Sequence, residues 1–160
     1  MILFSFHPAC NLEKWQIIND SVMGGRSESQ IHLDQDGHGV YHGKVSLENN
    51  GGFSSLHYNV GSVKLDDFEK IRINIKGDGK EFQLRIKSRD DQRESYGQSF
   101  KTTGDWQVLE FELKNFKAIF RGRRLSLPNF HQVTLCKLFF LIANRNPEEF
   151  ELVLDQIELI

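Results

Sequence analysis

The stretch "EKIRINIKGDGKEFQLRIK", Glu69 to Lys87, decides the fold class. Its first half puts Ile71, Ile73 and Ile75 on one face of an extended chain and Lys70, Arg72, Asn74 and Lys76 on the other. Its second half repeats the device with Phe82, Leu84 and Ile86. An alternation of period two is what a half-buried strand needs, because successive side chains point to opposite faces of a sheet. The intervening Gly77-Asp78-Gly79 reads as a tight hairpin turn, which would make these two strands direct neighbours.

Working outward, the same alternation recurs with turn residues about every 8 to 12 positions, the spacing of a sandwich or barrel. Further strands are expected at "QIHL", "GVYHGKVSL", "FSSLHYNV", "SYGQSFKT", "WQVLEFEL", "TLCKLFFLIA" and "FELVLDQIELI", with the opening "MILFSF" as a first strand. The run Thr134 to Ala143 is apolar on both faces and should lie centrally, with layers on either side. No amphipathic helix is convincing; "LDDFEKI" has room for one turn. About nine or ten strands, with 13 Phe to fill the space between layers, predict an all-β, two-sheet antiparallel jelly-roll sandwich.

At 160 residues, without repeats or a Pro/Gly/Ser-rich linker, the chain is expected to form one domain spanning 1–160. Twenty Lys and Arg against 22 Asp and Glu leave a net charge of -2, so nothing pulls the whole molecule toward nucleic acid or an anionic membrane. "MILFSF" has no basic flank and runs into His7-Pro8 rather than a cleavage site, so no signal peptide is expected. No apolar run approaches the roughly 18 to 20 residues that span a bilayer. Cys10 and Cys136 read as reduced thiols, and the expected compartment is the cytoplasm.

Motifs for chemistry are absent. His38 and His42, four apart on a strand, would lie about 13 Å from each other along the chain, too far for one zinc ion. The acidic pairs Asp66-Asp67, Asp90-Asp91 and Glu148-Glu149 fit solvated turns better than a facing pair of catalytic carboxylates. Neither a G-x-S-x-G elbow nor a phosphate loop occurs. The expectation is a protein that is not an enzyme, with no catalytic residues, no metal and no cofactor.

Three stretches remain. "NDSVMGGRS" (Asn19 to Ser27) and "ENNGGFSS" (Glu48 to Ser55) both place Asn ahead of Gly-Gly and end in Ser. Gly permits positive φ or close backbone approach, and Asn or Asp satisfies turn amides. The pair is either a structural device or a convergent polar surface. On the structural reading, Gly24-Gly25 form a bulged turn against Gly51-Gly52, with Gly24 or Gly25 at positive φ and Asp20 and Ser21 satisfying backbone amides. The third stretch, "KNFKAIFRGRRLSLPNF", gathers Lys114, Lys117, Arg121, Arg123 and Arg124 among Phe116, Phe120 and Phe130. It reads as either a solvated loop or a dock for an acidic or phosphate-bearing partner.

Taken in order, Trp15 with "NDSVMGGRS", "GKVSLENNGGFSSL", "GDGKEFQLRIK", Trp106 with "FRGRR", and "FELVLDQIEL" resemble the complex I intermediate-associated protein 30 family over nearly the whole chain. The resemblance implies a galactose-binding-like jelly roll and a non-enzymatic, chaperone-like role, since mitochondrial relatives help assemble respiratory NADH:ubiquinone oxidoreductase. With no transit peptide and no extension, this chain looks like a stand-alone bacterial form. The expected binding residues are Asn19, Asp20, Ser21, Met23, Gly24, Gly25 and Ser27, then Asn50, Gly51, Gly52, Phe53 and Ser54, and in the basic stretch Phe120, Arg121 and Arg123. The expected partner is a protein, such as a respiratory-complex subunit. The alternative is a glycan, held by a carbohydrate-binding module of the same fold.

Overall fold

The structure, a computed structural model, describes the backbone of residues 1–160 and every side chain except that of Val22. Thirteen strands build two antiparallel sheets: β1 (Ile2–Ser5), β2 (Trp15–Asn19), β3 (Glu28–Leu33), β4 (Gly39–Val45), β5 (Ser54–Lys64), β6 (Lys70–Lys76), β7 (Glu81–Lys87), β8 (Ser95–Lys101), β9 (Trp106–Glu112), β10 (Lys117–Phe120), β11 (Arg123–Arg124), β12 (Thr134–Ile142) and β13 (Glu148–Leu159). Helical structure is confined to 3-10 turns at Asp20–Met23, Glu48–Asn50 and Leu113–Asn115.

The six-stranded sheet has the order β3-β4-β13-β6-β9, with β1 also paired to β13. The seven-stranded sheet has the order β11-β10-β8-β7-β12-β5-β2. Ile71, Ile73, Ile75, Phe82, Leu84 and Ile86, the inward residues of the alternating pattern, have no solvent exposure, and neither have Leu138, Phe140 and Leu154. They interdigitate between the sheets with Tyr41, Phe116 and Leu56.

The expected hairpin at Gly77–Gly79 is corrected. β6 pairs with β9 and β13, whereas β7 pairs with β8 and β12 in the other sheet. The two strands face each other across the core, and alternation alone cannot tell facing strands from adjacent ones, since both bury one face. The corner between them is pinned by side chains: Thr102 Oγ1 accepts from the Gly79 amide at 3.0 Å, and Asp78 Oδ2 accepts from the Glu151 amide at 2.9 Å. A side chain at Gly77 would run into Thr102.

β12 does sit centrally, between β7 and β5. No second layer covers its outer face, contrary to expectation. Phe139 is instead shielded by the side chains of its own sheet, stacking on His57 at 4.2 Å between ring centroids, with the Arg85 guanidinium 6.0 Å away on the other side. β13 changes face midway: Leu152 and Leu154 point inward, and after a register shift at Asp155 so do Ile157 and Leu159. That bulge lets one strand pair with β4 over its first half and with β1 over its second.

Candidate functional site

The two glycine-rich stretches meet at Asp20, which is fully buried. β2 carries the chain into the 3-10 turn Asp20–Met23, and Gly24 closes that turn at φ +87°, the left-handed region where a Cβ is disfavoured. The turn brings Ser27 back onto the carboxylate: the Ser27 amide donates to Oδ1 at 2.9 Å and the Ser27 hydroxyl to Oδ2 at 2.5 Å. From the other stretch the amides of Gly52 and Phe53 donate to Oδ2 at 2.7 and 3.3 Å. A side chain at Gly25 or at Gly51 would collide with the Asp20 carboxyl, which explains why both loops carry glycine there.

Burial alone would raise the Asp20 pKa. The bonds from the Ser27 hydroxyl and the Gly52, Ser27 and Phe53 amides outweigh it, and the carboxyl titrates below its ordinary value. Oδ2 accepts three of these bonds and Oδ1 one, all from within the chain. Asp20 is a clamp between loops.

The clamp continues inward as a chain of buried polar groups linking the two sheets. Asn19 Nδ2 donates to the Ser27 carbonyl at 3.3 Å, and Asn19 Oδ1 accepts from the Ser29 hydroxyl at 3.0 Å. Ser54 Oγ donates to Ser29 Oγ at 2.8 Å and lies 2.6 Å from the Tyr41 hydroxyl. Burial pushes the Tyr41 phenol above its ordinary range, so it stays neutral.

Of the expected site residues, Asn19, Asp20, Ser27 and Ser54 are therefore interior, and Gly25, Gly51, Gly52 and Phe53 are partly covered. Ser21, Met23, Gly24 and Asn50 face solvent. The turn expected at Gly24-Gly25 is a 3-10 turn rather than a bulge. Ser21 does not join in as expected: its carbonyl accepts from Gly24, and its exposed side chain holds no amide.

The basic stretch is a short hairpin rather than a loop. β10 and β11 pair as Ile119 with Arg124 and Phe120 with Arg123, and the turn has Arg121 at φ +49° and Gly122 at φ +75°. Its flanks belong to the core through Phe116 and Phe130. Lys117, Arg121, Arg123 and Arg124 are exposed, and none of them meets a carboxylate among the described residues. Half-buried Phe120 has two guanidiniums near its ring, Arg93 at 4.9 Å and Arg121 at 5.3 Å from the centroid.

The hairpin and the glycine clamp do not converge. They occupy opposite edges of the seven-stranded sheet, β11 at one and β2 at the other.

Other candidates resolve locally. His42 approaches His32 at 3.2 Å, not His38. Asp34, Asp36 and His38 do gather within 4.8 Å, but Asp34 Oδ1 already accepts from the amides of Asp36 and His38, both at 2.9 Å, as the cap of the β3–β4 turn. Asp90 pairs with Lys137 at 2.9 Å and Asp91 with Arg89 at 3.5 Å, so those acids serve surface charge balance.

What the sequence reading missed is the outer face of the seven-stranded sheet, where His57, Phe139 and Arg85 lie in one row of paired residues. Ser55 Oγ donates to the Ile18 carbonyl at 2.5 Å, so at 2.9 Å it must accept from His57 Nε2. That leaves Nδ1 deprotonated and buried without a partner. Burial, then the charges of Lys137, Lys87 and Arg85, push the imidazole down to about 3. Two signals were present in the sequence: aromatic Phe139 at an outward strand position, and Gly97 inside "SYGQSF", where a strand glycine marks close approach.

Comparison with known proteins agrees with this fold. The family 11 carbohydrate-binding module from Clostridium thermocellum, solved with a β-1,3-1,4-mixed-linked tetrasaccharide, superposes with a TM-score of 0.69 at 16% identity, covering 98% of this chain and 94% of its own. A family 29 carbohydrate-binding module superposes at 0.57 with 8% identity, covering 99% and 89%. An agarase does so at 0.63 with 12% identity, covering 99% of this chain and 24% of the agarase. These identities establish a shared jelly-roll sandwich and no more. A search of curated proteins by sequence finds no match. The family model described as Complex I intermediate-associated protein 30 matches residues 4–154, and the chain belongs to that family.

Proposed function

We propose that this chain is a non-catalytic interaction domain of the assembly-factor kind, which holds a protein partner through the β10–β11 hairpin. The family supports the assembly role, and the respiratory NADH:ubiquinone oxidoreductase is the complex its name points to. The observation that carries the reading is Phe120 beside Arg93 and Arg121, on an edge hairpin whose cations find no carboxylate in the described chain. An aromatic anchor beside planar guanidiniums has the composition of a binding hot spot, and an edge strand offers unpaired backbone to a partner.

The test is affinity capture from the native cell with the wild type and with Arg121→Glu/Arg123→Glu. The double variant should lose the captured partner while its melting temperature stays put, because exposed charges contribute little to stability. A variant that unfolds would make the arginines structural. One that captures the same partner would make the hairpin a bystander.

A second reading is glycan binding, supported by the carbohydrate-binding modules that share the fold. Titration with the mixed-linked tetrasaccharide separates the two, since saturable binding by the double variant as well as the wild type would favour the glycan reading.

A further inference from the structure

Charge is compensated differently on the two outer faces. On the six-stranded sheet, Lys70 and Arg72 both meet Glu110, at 3.3 and 3.1 Å, and Arg72 also meets Glu158 at 3.0 Å. On the seven-stranded sheet Lys137 meets Asp90 at 2.9 Å, but Arg85, Lys117 and Arg124 meet no carboxylate among the described residues. Arg85 is half-buried, and both Nε and Nη2 donate to the neutral Gln83 Oε1, at 3.0 and 2.8 Å. Its burial, with no anion to offset it, pushes the guanidinium down to about 10. A partly desolvated cation without a counter-charge is unfavourable unless something supplies one.

The strand register gathers these cations. Arg85 pairs with Gly97 and Gly97 with Lys117, so all three positions share the outer face. With strands about 4.8 Å apart, Arg85 and Lys117 straddle the glycine at roughly 10 Å between Cα atoms. Arg124 stands opposite Ile119 on the same face, two positions beyond Lys117. Gly97 leaves the floor between them open: a Cβ there would come within 3.0 Å of Arg85 Cγ and 3.1 Å of Ile119 Cδ1. The result is a concavity of about 460 Å³ whose lining includes Gln83, Arg85, Ser99, Asn115, Lys117 and Arg124, and no Asp or Glu.

We propose that this concavity binds a small oxyanion ligand, a carboxylate- or phosphate-bearing molecule that also carries hydroxyl groups. Gln83 holds the Nε–Nη2 edge of the Arg85 guanidinium, which leaves the Nη1–Nη2 edge to donate to two oxygens of one oxyanion, while Lys117 and Arg124 close on it as flanking charges. Gln83, Ser99 and Asn115 offer hydrogen bonds to hydroxyls. The volume lies in the lower part of the range for small-ligand sites. Arg121 and Arg123 are not part of the lining, so the proposal stands or falls separately from partner capture by the hairpin tip.

The test is an NMR titration of the ¹⁵N-labelled chain with inorganic phosphate, with glucuronate, and with glucose as the uncharged control. The Gly97 and Lys117 amides should shift saturably with phosphate, glucuronate or both; response to one alone identifies which oxyanion the site takes. Lys117→Gln removes an exposed charge, and Gly97→Val fills the floor with a residue that favours strands. Each should weaken binding roughly tenfold or more while leaving amides outside β7 to β11 unmoved. The proposal is overturned if neither anion gives a saturable shift at Gly97, if glucose shifts these amides as strongly, or if both folded variants bind like the wild type.

Discussion

At Asp20 burial and hydrogen bonding pull the carboxyl in opposite directions, and hydrogen bonding wins. Its folded-state pKa lies below the unfolded value, so its contribution is complete above about pH 4 and disappears as the pH falls through the folded value. Asp20→Asn would turn an acceptor into a donor facing the Gly52 or Ser27 donors, and should cost about 2 to 4 kcal/mol at neutral pH. The glycines beside it separate strain from crowding. Gly24→Ala meets open space at φ +87° and should cost about 1 to 2 kcal/mol from backbone strain alone. Gly25→Ala should cost more in urea unfolding, because its methyl displaces the clamp's carboxylate. His57 acts in another pH window. It stays neutral when folded, down to about 3, and takes up a proton near 6.5 when unfolded, so stability should decline as the pH drops from about 6.5 toward 3. Unfolding midpoints at pH 7 and pH 5 should differ in the wild type and converge in His57→Gln.

Among elements, β12 is paired along both edges, with Leu135, Leu138, Phe140 and Ile142 wholly buried. Leu138→Ala should cost about 2 to 5 kcal/mol in urea unfolding, the range for a truncated leucine in a packed interior. Strands with strict alternation, such as β6 and β7, could be read from sequence because one face of each is wholly apolar. Their pairing could not, since the Gly77–Gly79 corner differs from a hairpin only through contacts with Thr102 and Glu151, far away in the chain. β2 and β10 escaped for a different reason: in these strands of five and four residues the apolar pairs Ile17-Ile18 and Ile119-Phe120 are adjacent, so no alternation shows. The double-sided apolar character of β12 correctly indicated a central strand. The cover on its outer face came from His57 and Arg85, which no pattern of hydrophobicity would nominate.

Across the whole molecule, the seven-stranded sheet holds the glycine-rich pair and the basic stretch at opposite edges. Its β2 edge holds the glycine clamp, where the polar groups of Asp20, Asn19, Ser27 and Ser54 are consumed internally; its β11 edge displays cations that nothing in the described chain neutralises. The candidate site was thus half readable. The motif residues stand out in the sequence, but sequence cannot say whether a polar side chain turns inward to amides or outward to a partner. Urea unfolding of Asp20→Asn and Arg121→Glu/Arg123→Glu, side by side at pH 7, tests this division most directly. The midpoint should fall markedly for Asp20→Asn and stay with the wild type for the double variant. An Asp20→Asn protein as stable as the wild type, or a double variant that is the less stable of the two, would contradict it.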